Sequence, residues 1–287
     1  MAVREFCLMN KKGQEFSLMD IDNYCLLTSP KGLGLDIDNS YEQLNNTFII
    51  NLSKLKQGNI SGVVNFKNYN NYKALIDFIA FAESLYIRYS VPYSDGSIKT
   101  YYRDIAINSI SKTDIDKDTG VLSESISIDC LSLWYQKNQV IYQINSEDDE
   151  IRWDFKWDSR FAAYDVRNLQ FINQGHVPAS IEVEIDGALA NPSIELYVEG
   201  NLYQEVPIDI TIAQYQKLLY SSKENNFYIR KQLANGSIED LFNLEYIDFS
   251  NDNVIRIPVD KSCELRLTAD NDIISAKVTI FVYYLAV

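Results

Sequence analysis

Residues 65–92 read NFKNYNNYKALIDFIAFAESLYIRYSVP, and the change of period inside this stretch decides the fold class. Tyr72, Leu75, Ile76, Ile79, Ala82 and Leu85 recur at three- and four-residue steps, which gathers them on one face of a helix. Asn68, Asn70 and Asn71 offer N-caps, because an Asn side chain accepts from a first-turn N–H. At Leu85 the period falls to two, with Leu85, Ile87 and Tyr89 on one side of a strand that Pro92 ends. A single helix therefore runs directly into a strand.

Everything around it reads as strands. Before the helix, VREFCLMN, EFSLMD, YCLLTSP and NTFIINL are separated by KKGQ, Pro30–Gly34 and KQGN. After it, TYYRDIAINSISKTDI (100–115) and LSESISIDCLSLWY (122–135) alternate and flank DKDTGV, the signature of a hairpin with long arms. The arms are longer than one domain needs to cover. The polar face near Tyr101, Tyr102 and Arg103 is therefore expected at or near a contact with another subunit.

At 287 residues the chain exceeds the usual single domain. NSEDDEIRW (145–153) is acidic and without period, so a border over 141–170 is expected between a domain of residues 1–140 and one of residues 171–287. Past that border ASIEVEIDG, PSIELYVEG, VIRIPV, CELRLTA and AKVTIFVYYLAV alternate. The second half is thus expected to be an antiparallel β-sandwich, interrupted by one short helix at TIAQYQKLLYSS (211–222).

Composition narrows the function. The net charge of −14 is shared: residues 1–150 carry 14 basic and 20 acidic groups, the remainder 12 and 20. No Lys/Arg cluster supplies the positive stripe that gripping phosphate requires, which argues against specific nucleic-acid binding. No run approaches the ~20 apolar residues of a membrane-spanning helix, and the first residues lack the apolar core of a signal peptide; no membrane association is expected. Cys7, Cys25, Cys130 and Cys263 are widely spaced and read as buried free thiols in a reducing cytoplasm. The 20 Tyr and 13 Phe suit strands and large interfaces.

Chemistry has few places to reside. His176, the one histidine, lies in the turn NQGHVPA, so a triad or a multi-histidine metal site is disfavoured. Asp114, Asp116 and Asp118 resemble the start of a calcium loop, but Thr119 and Ser125 occupy the positions where Gly and Glu would complete it. KGLGL precedes no helix and makes no phosphate loop. Trp134 is read as a core residue rather than a sugar platform, while Trp153 and Trp157, in or near the border, could equally stack on a sugar or pack between domains. No catalytic, cofactor-binding or metal-binding residue is expected.

The ordered set of pieces is more specific than any one of them. DFIAFAESLYIRY followed by the paired YYRDIAINSISKTD and GVLSESISIDCLSLWY resembles the N-terminal domain of the distal tail proteins (Dit) of long-tailed siphophages. INQGHVPASIEVEIDGALANPSIELYVEG is similar to that family's C-terminal domain, with Asn173, Gly175, Pro178, Gly187, Asn191 and Pro192 at its turns. Asp252 departs from it, standing where a Gly-containing turn is common.

The resemblance implies a mainly β fold: an N-terminal sandwich-type domain with one packed helix and a long hairpin, then a galectin-like antiparallel sandwich. It also implies a structural protein of the virion tail tip, assembled in the bacterial cytoplasm as a hexameric ring, with ring stacking a further option. The ring joins the tail tube protein to a tail-associated hub protein and passes DNA without specific binding; its C-terminal domain is open to a receptor-binding protein. It implies no enzyme and no cofactor. The competing reading is a carbohydrate-binding or cell-wall glycan-acting sandwich protein.

Overall fold

Asn68 caps the helix: its Oδ1 accepts from Asn71 N at 3.0 Å, and α1 runs Tyr69–Ala80. It ends one turn before the apolar stripe does, so Ala82 lies past it and Leu85 opens the next strand. Leu75 is fully buried, while Tyr72, Ile79 and Ala82 pack more loosely on the same core. The computed structural model describes residues 4–21, 25–143, 168–242, 246–247, 252–271, 273 and 275–287. Much of the expected border 141–170, with Trp153 and Trp157, falls outside them.

The chain divides into two units, Met1–Gln136 with Tyr284–Val287, and Lys137–Tyr283. In the first, α1 accompanies β1 (Glu5–Asn10), β2 (Glu15–Ser17), β3 (Met19–Asp20), β4 (Cys25–Lys31), β5 (Ile37–Leu44), β6 (Thr47–Leu55), β7 (Asn59–Phe66), β8 (Leu85–Pro92), β9 (Ile98–Ile110), β10 (Leu122–Cys130) and the start of β11 (Trp134–Gln143). Antiparallel pairing links them in the order β2-β1-β8-β9-β10-β7-β4-β3. The sheet curls so far that its two ends meet at Leu18, whose N–H donates to Phe6 O at 2.9 Å and whose carbonyl accepts from Leu27 N at 2.8 Å. Closing the sheet this way removes free edges.

The expected alternation of β8 is realised: Leu85, Ile87 and Tyr89 are buried, and Tyr89 stacks on Phe6 at 4.6 Å. Together with Leu8, Val64, Phe66, Ile126, Ile128 and Trp134 they form one core. Trp134 is fully buried and its Nε1 donates to Leu33 O at 3.3 Å, as a packing residue should. Gly62 sits where strands β4 and β7 approach; a Cβ there would lie 2.8 Å from Leu27 Cδ1 and 3.0 Å from Thr28 O.

The second unit contains β12 (Asn168–Ile172), β13 (Ser180–Asp186), β14 (Leu189–Ala190), β15 (Ser193–Val198), β16 (Asn201–Pro207), β17 (Thr211–Ile212), β18 (Lys217–Lys223), β19 (Asn226–Gln232), β20 (Ile238–Asp240), β21 (Ser262–Thr268) and β22 (Ser275–Tyr284). One antiparallel sheet is ordered β20-β19-β18-β13-β22, another β12-β21-β15-β16. In β13, β15 and β21 alternate residues are buried, so each sheet has one apolar face. The helix expected at 211–222 is not formed. Leu218 and Tyr220 alternate rather than recur at helical steps, and β18 pairs on both sides, with β13 and β19.

The turn residues explain their identities. Asn173 is fully buried; its Nδ2 donates to Val177 O and Ile257 O, and its Oδ1 accepts from Gly175 N at 2.9 Å. A Cβ on Gly175 would lie 2.5 Å from Tyr283 O, so only glycine fits. Asp252 builds its turn with its own carboxylate, which accepts from Val254 N at 3.1 Å.

Candidate assembly site

One element of the first unit behaves unlike the rest. β5 and β6 pair only with each other, from Ile37↔Leu55 to Leu44↔Thr47, and almost every residue of both is exposed. Asn45 turns the ribbon with φ 53°, a left-handed conformation that Asn adopts more readily than most residues. Thr47 Oγ1 closes the turn by donating to Leu44 O at 2.9 Å. The ribbon carries Ile37, Tyr41, Leu44, Phe48, Ile49, Ile50, Leu52 and Leu55 in the open, with Phe48 at 69% exposure. Phe48, Ile50 and Leu52 alternate onto one side and Ile49 onto the other. A two-stranded ribbon is marginal in water by itself, and soluble proteins seldom expose an apolar surface of this extent without a partner for it.

At the foot of the ribbon lies a pocket of about 240 Å³ whose lining includes Gly32, Asp36, Lys56, Gly58, Arg103 and Leu133. Gly58 makes room for the guanidinium: a Cβ there would stand 2.7 Å from Arg103 Nη2. Arg103 is only 5% exposed. Its Nε donates to Ser132 O at 2.7 Å and its guanidinium lies 5.3 Å from the Trp134 ring centre. Burial pushes its pKa below the usual arginine range. Nη1 is buried and has no hydrogen-bond partner among the described residues.

The structure thus places the three expected contact residues differently from a free ribbon face. Both arms of the long hairpin are interior to the sheet, β9 paired with β8 and β10, and β10 with β7, so neither offers an open edge. Tyr101 is buried, edge-on to Tyr284 at 5.4 Å and hydrogen-bonded to Tyr93 through its hydroxyl at 2.9 Å. Burial first, then that hydrogen bond, raises its pKa. Tyr102 is half-buried and stacks on Tyr135 at 6.1 Å. Arg103 alone reaches a pocket. Alternation in the sequence marked this stretch as strand; it could not reveal that neighbouring strands cover both sides.

The residues weighed for chemistry are structural. Asp116 caps the hairpin turn, its Oδ1 accepting from Asp118 N at 2.9 Å and from Thr119 N at 2.8 Å, and those bonds hold its carboxyl below its usual range. His176 is exposed in its turn, with its backbone N–H on Tyr283 O. No group of three or more metal-ligating side chains occurs among the described residues.

The family model of the distal tail protein N-terminal domain matches residues 5–131, a span that holds the curled sheet, the helix, the ribbon and Arg103. Residues 5–131 thus carry a distal tail protein N-terminal domain. Two solved structures of the phage p2 baseplate in its activated conformation, one with Ca and one with Sr, contain a chain similar to it at 16% identity. All of both chains is covered, with a TM-score of 0.68. The Dit protein of phage SPP1, described as a paradigm of hub adsorption apparatus in phages infecting Gram-positive bacteria, is similar at 11% identity. There 96% of this chain and 98% of that one are covered, with a TM-score of 0.55. No curated protein sequence matches. Distal tail proteins are structural components of the phage tail and baseplate rather than enzymes, which agrees with the reading of His176 and the aspartates.

Proposed function

We propose that the chain forms a closed ring, most simply of six copies, that connects the tail tube to the tail-tip hub and leaves a central opening for DNA. The exposed apolar ribbon carries this reading. In the first unit's main sheet the ends meet at Leu18, so open edges and apolar surface are concentrated on β5 and β6. A second copy of the same chain is the occupant that removes them all, because closed symmetry uses each such surface once. The ribbon also begins and ends at the pocket lined by Arg103, which supports a subunit contact near Arg103, with Tyr101 and Tyr102 beside it.

The net charge of −14 supports passage of DNA without specific binding, since a wall that gripped phosphate would impede sliding. Ring faces would meet the tail tube protein on one side and a tail-associated hub protein on the other, with residues 171–287 free for a receptor-binding protein. Negative-stain electron microscopy of the purified chain tests this reading. Annular particles with a central opening are expected; a field of uniformly monomer-sized particles at micromolar concentration would contradict it.

A further inference from the structure

We propose that the pocket at the foot of the ribbon is a carboxylate-binding site, and that Arg103 there receives an Asp or Glu side chain from a second copy of this chain. The proposal deepens the ring reading and rests on it for the source of the carboxylate. Among the described residues of its own unit Arg103 makes no ion pair. Its contacts are a neutral carbonyl and the face of Trp134, and Nη1 faces no acceptor among the described residues. A buried guanidinium without a counter-charge is costly, and the cost is relieved when an oxygen anion arrives to take two of its N–H groups in the fork geometry arginine favours.

The surroundings fit that ligand. Asp36 is engaged by Lys56 at 3.6 Å, so these two cancel and Arg103 leaves the pocket with one net positive charge. Gly58 and Gly32 keep the floor low: a Cβ on Gly58 would strike the guanidinium, and one on Gly32 would overlap Asn59 O. The pocket's volume suits one carboxylate-bearing side chain, and a chain with 40 acidic groups against 26 basic ones carries many such side chains. Recognition is then a single desolvated ion pair ringed by the apolar ribbon, the arrangement in which an interface arginine weighs most.

The proposal predicts opposite effects on the two states of the protein. In full-length Arg103→Met, the isolated chain should melt no lower than the parent, because an unpaired buried charge is gone, while assembly should need at least tenfold more protein. Arg103→Lys, which keeps the charge and loses the fork, should fall between. For the small-carboxylate arm, melting is compared in sodium acetate and in sodium chloride of equal ionic strength. Acetate should raise the parent's midpoint by a few degrees under monomeric conditions and leave Arg103→Met unmoved.

Acetate-dependent stabilisation together with unchanged assembly of Arg103→Met would keep the pocket as a site for free carboxylates and overturn the second copy as the source. The same stabilisation in a parent that stays monomeric would overturn the ring reading and with it the second copy as the source, leaving the pocket as a carboxylate site. A large fall in the melting point of Arg103→Met, with no acetate effect on the parent, would overturn the site and make Arg103 a packing residue. If Arg103→Met does not fold, Arg103→Lys decides on the same two readouts.

Discussion

Single side chains here do mostly structural work. Glu124 is fully buried in β10 and accepts from Ser111 Oγ at 2.6 Å, Thr113 N at 2.5 Å and Thr113 Oγ1 at 3.0 Å, tying the end of β9 to its partner. Glu124→Ala strands those donors and should destabilise the first unit by about 1–3 kcal/mol in a denaturant titration. A loss below the error of the measurement would mean that water replaces the carboxylate.

The four cysteines are all free and buried, as their apolar surroundings in the sequence suggested. They should resist a thiol reagent at pH 8 in the folded protein and all react once it is denatured. Burial raises Cys7 from 9.0 to about 11 and Cys25 from 9.0 to about 12. The unfolded chain therefore ionises first, so stability is full below pH 9 and declines as pH rises from 9 toward 12. Replacing Cys25 by Ala should shallow that decline; an identical slope would remove Cys25 as its cause. Arg103 was legible as an interface candidate by type, but its burial was not, since a period-two pattern does not say which strands lie on either side.

At the scale of elements, the period change at Leu85 was readable because each half obeys its own rule: a capped amphipathic helix, then a strand with one buried face. Two elements escaped. TIAQYQKLLYSS has helical spacing by coincidence, and pairing with strands on both sides overrides it. Of the ribbon only the second arm was read, as NTFIINL; β5, IDNSYEQL, escaped because it is mostly polar and carries no clean alternation, and the turn at Asn45–Asn46 before the apolar run was the signal available. Its exposure makes a sharp prediction. Phe48→Glu with Ile50→Glu places two charges on one side of an element that packs on little of its own unit, so circular dichroism and the melting midpoint should stay near the parent's. Loss of the folded spectrum would show instead that the ribbon is part of the unit's core.

At the scale of the whole molecule, alternation on either side of the acidic stretch leads us to propose two halves that fold separately. Tyr284, the last residue of β22, belongs with the first unit, edge-on to Tyr101 and donating its hydroxyl to Gln136 at 2.9 Å. No local pattern announces such a return. If the halves fold separately, limited proteolysis should cut first within 138–170 or 220–240 and leave two resistant fragments. First cuts spread through residues 4–136 would contradict that organisation.

The central claim, that the ribbon closes copies of this chain into a ring, is tested most directly by the mass in solution, from light scattering after size exclusion, of the parent and of Phe48→Glu/Ile50→Glu. The account predicts a parent species near six times the 33.0 kDa chain and a folded monomer for the double variant. A parent that stays monomeric at tens of micromolar, or a double variant that assembles as well as the parent, would contradict it.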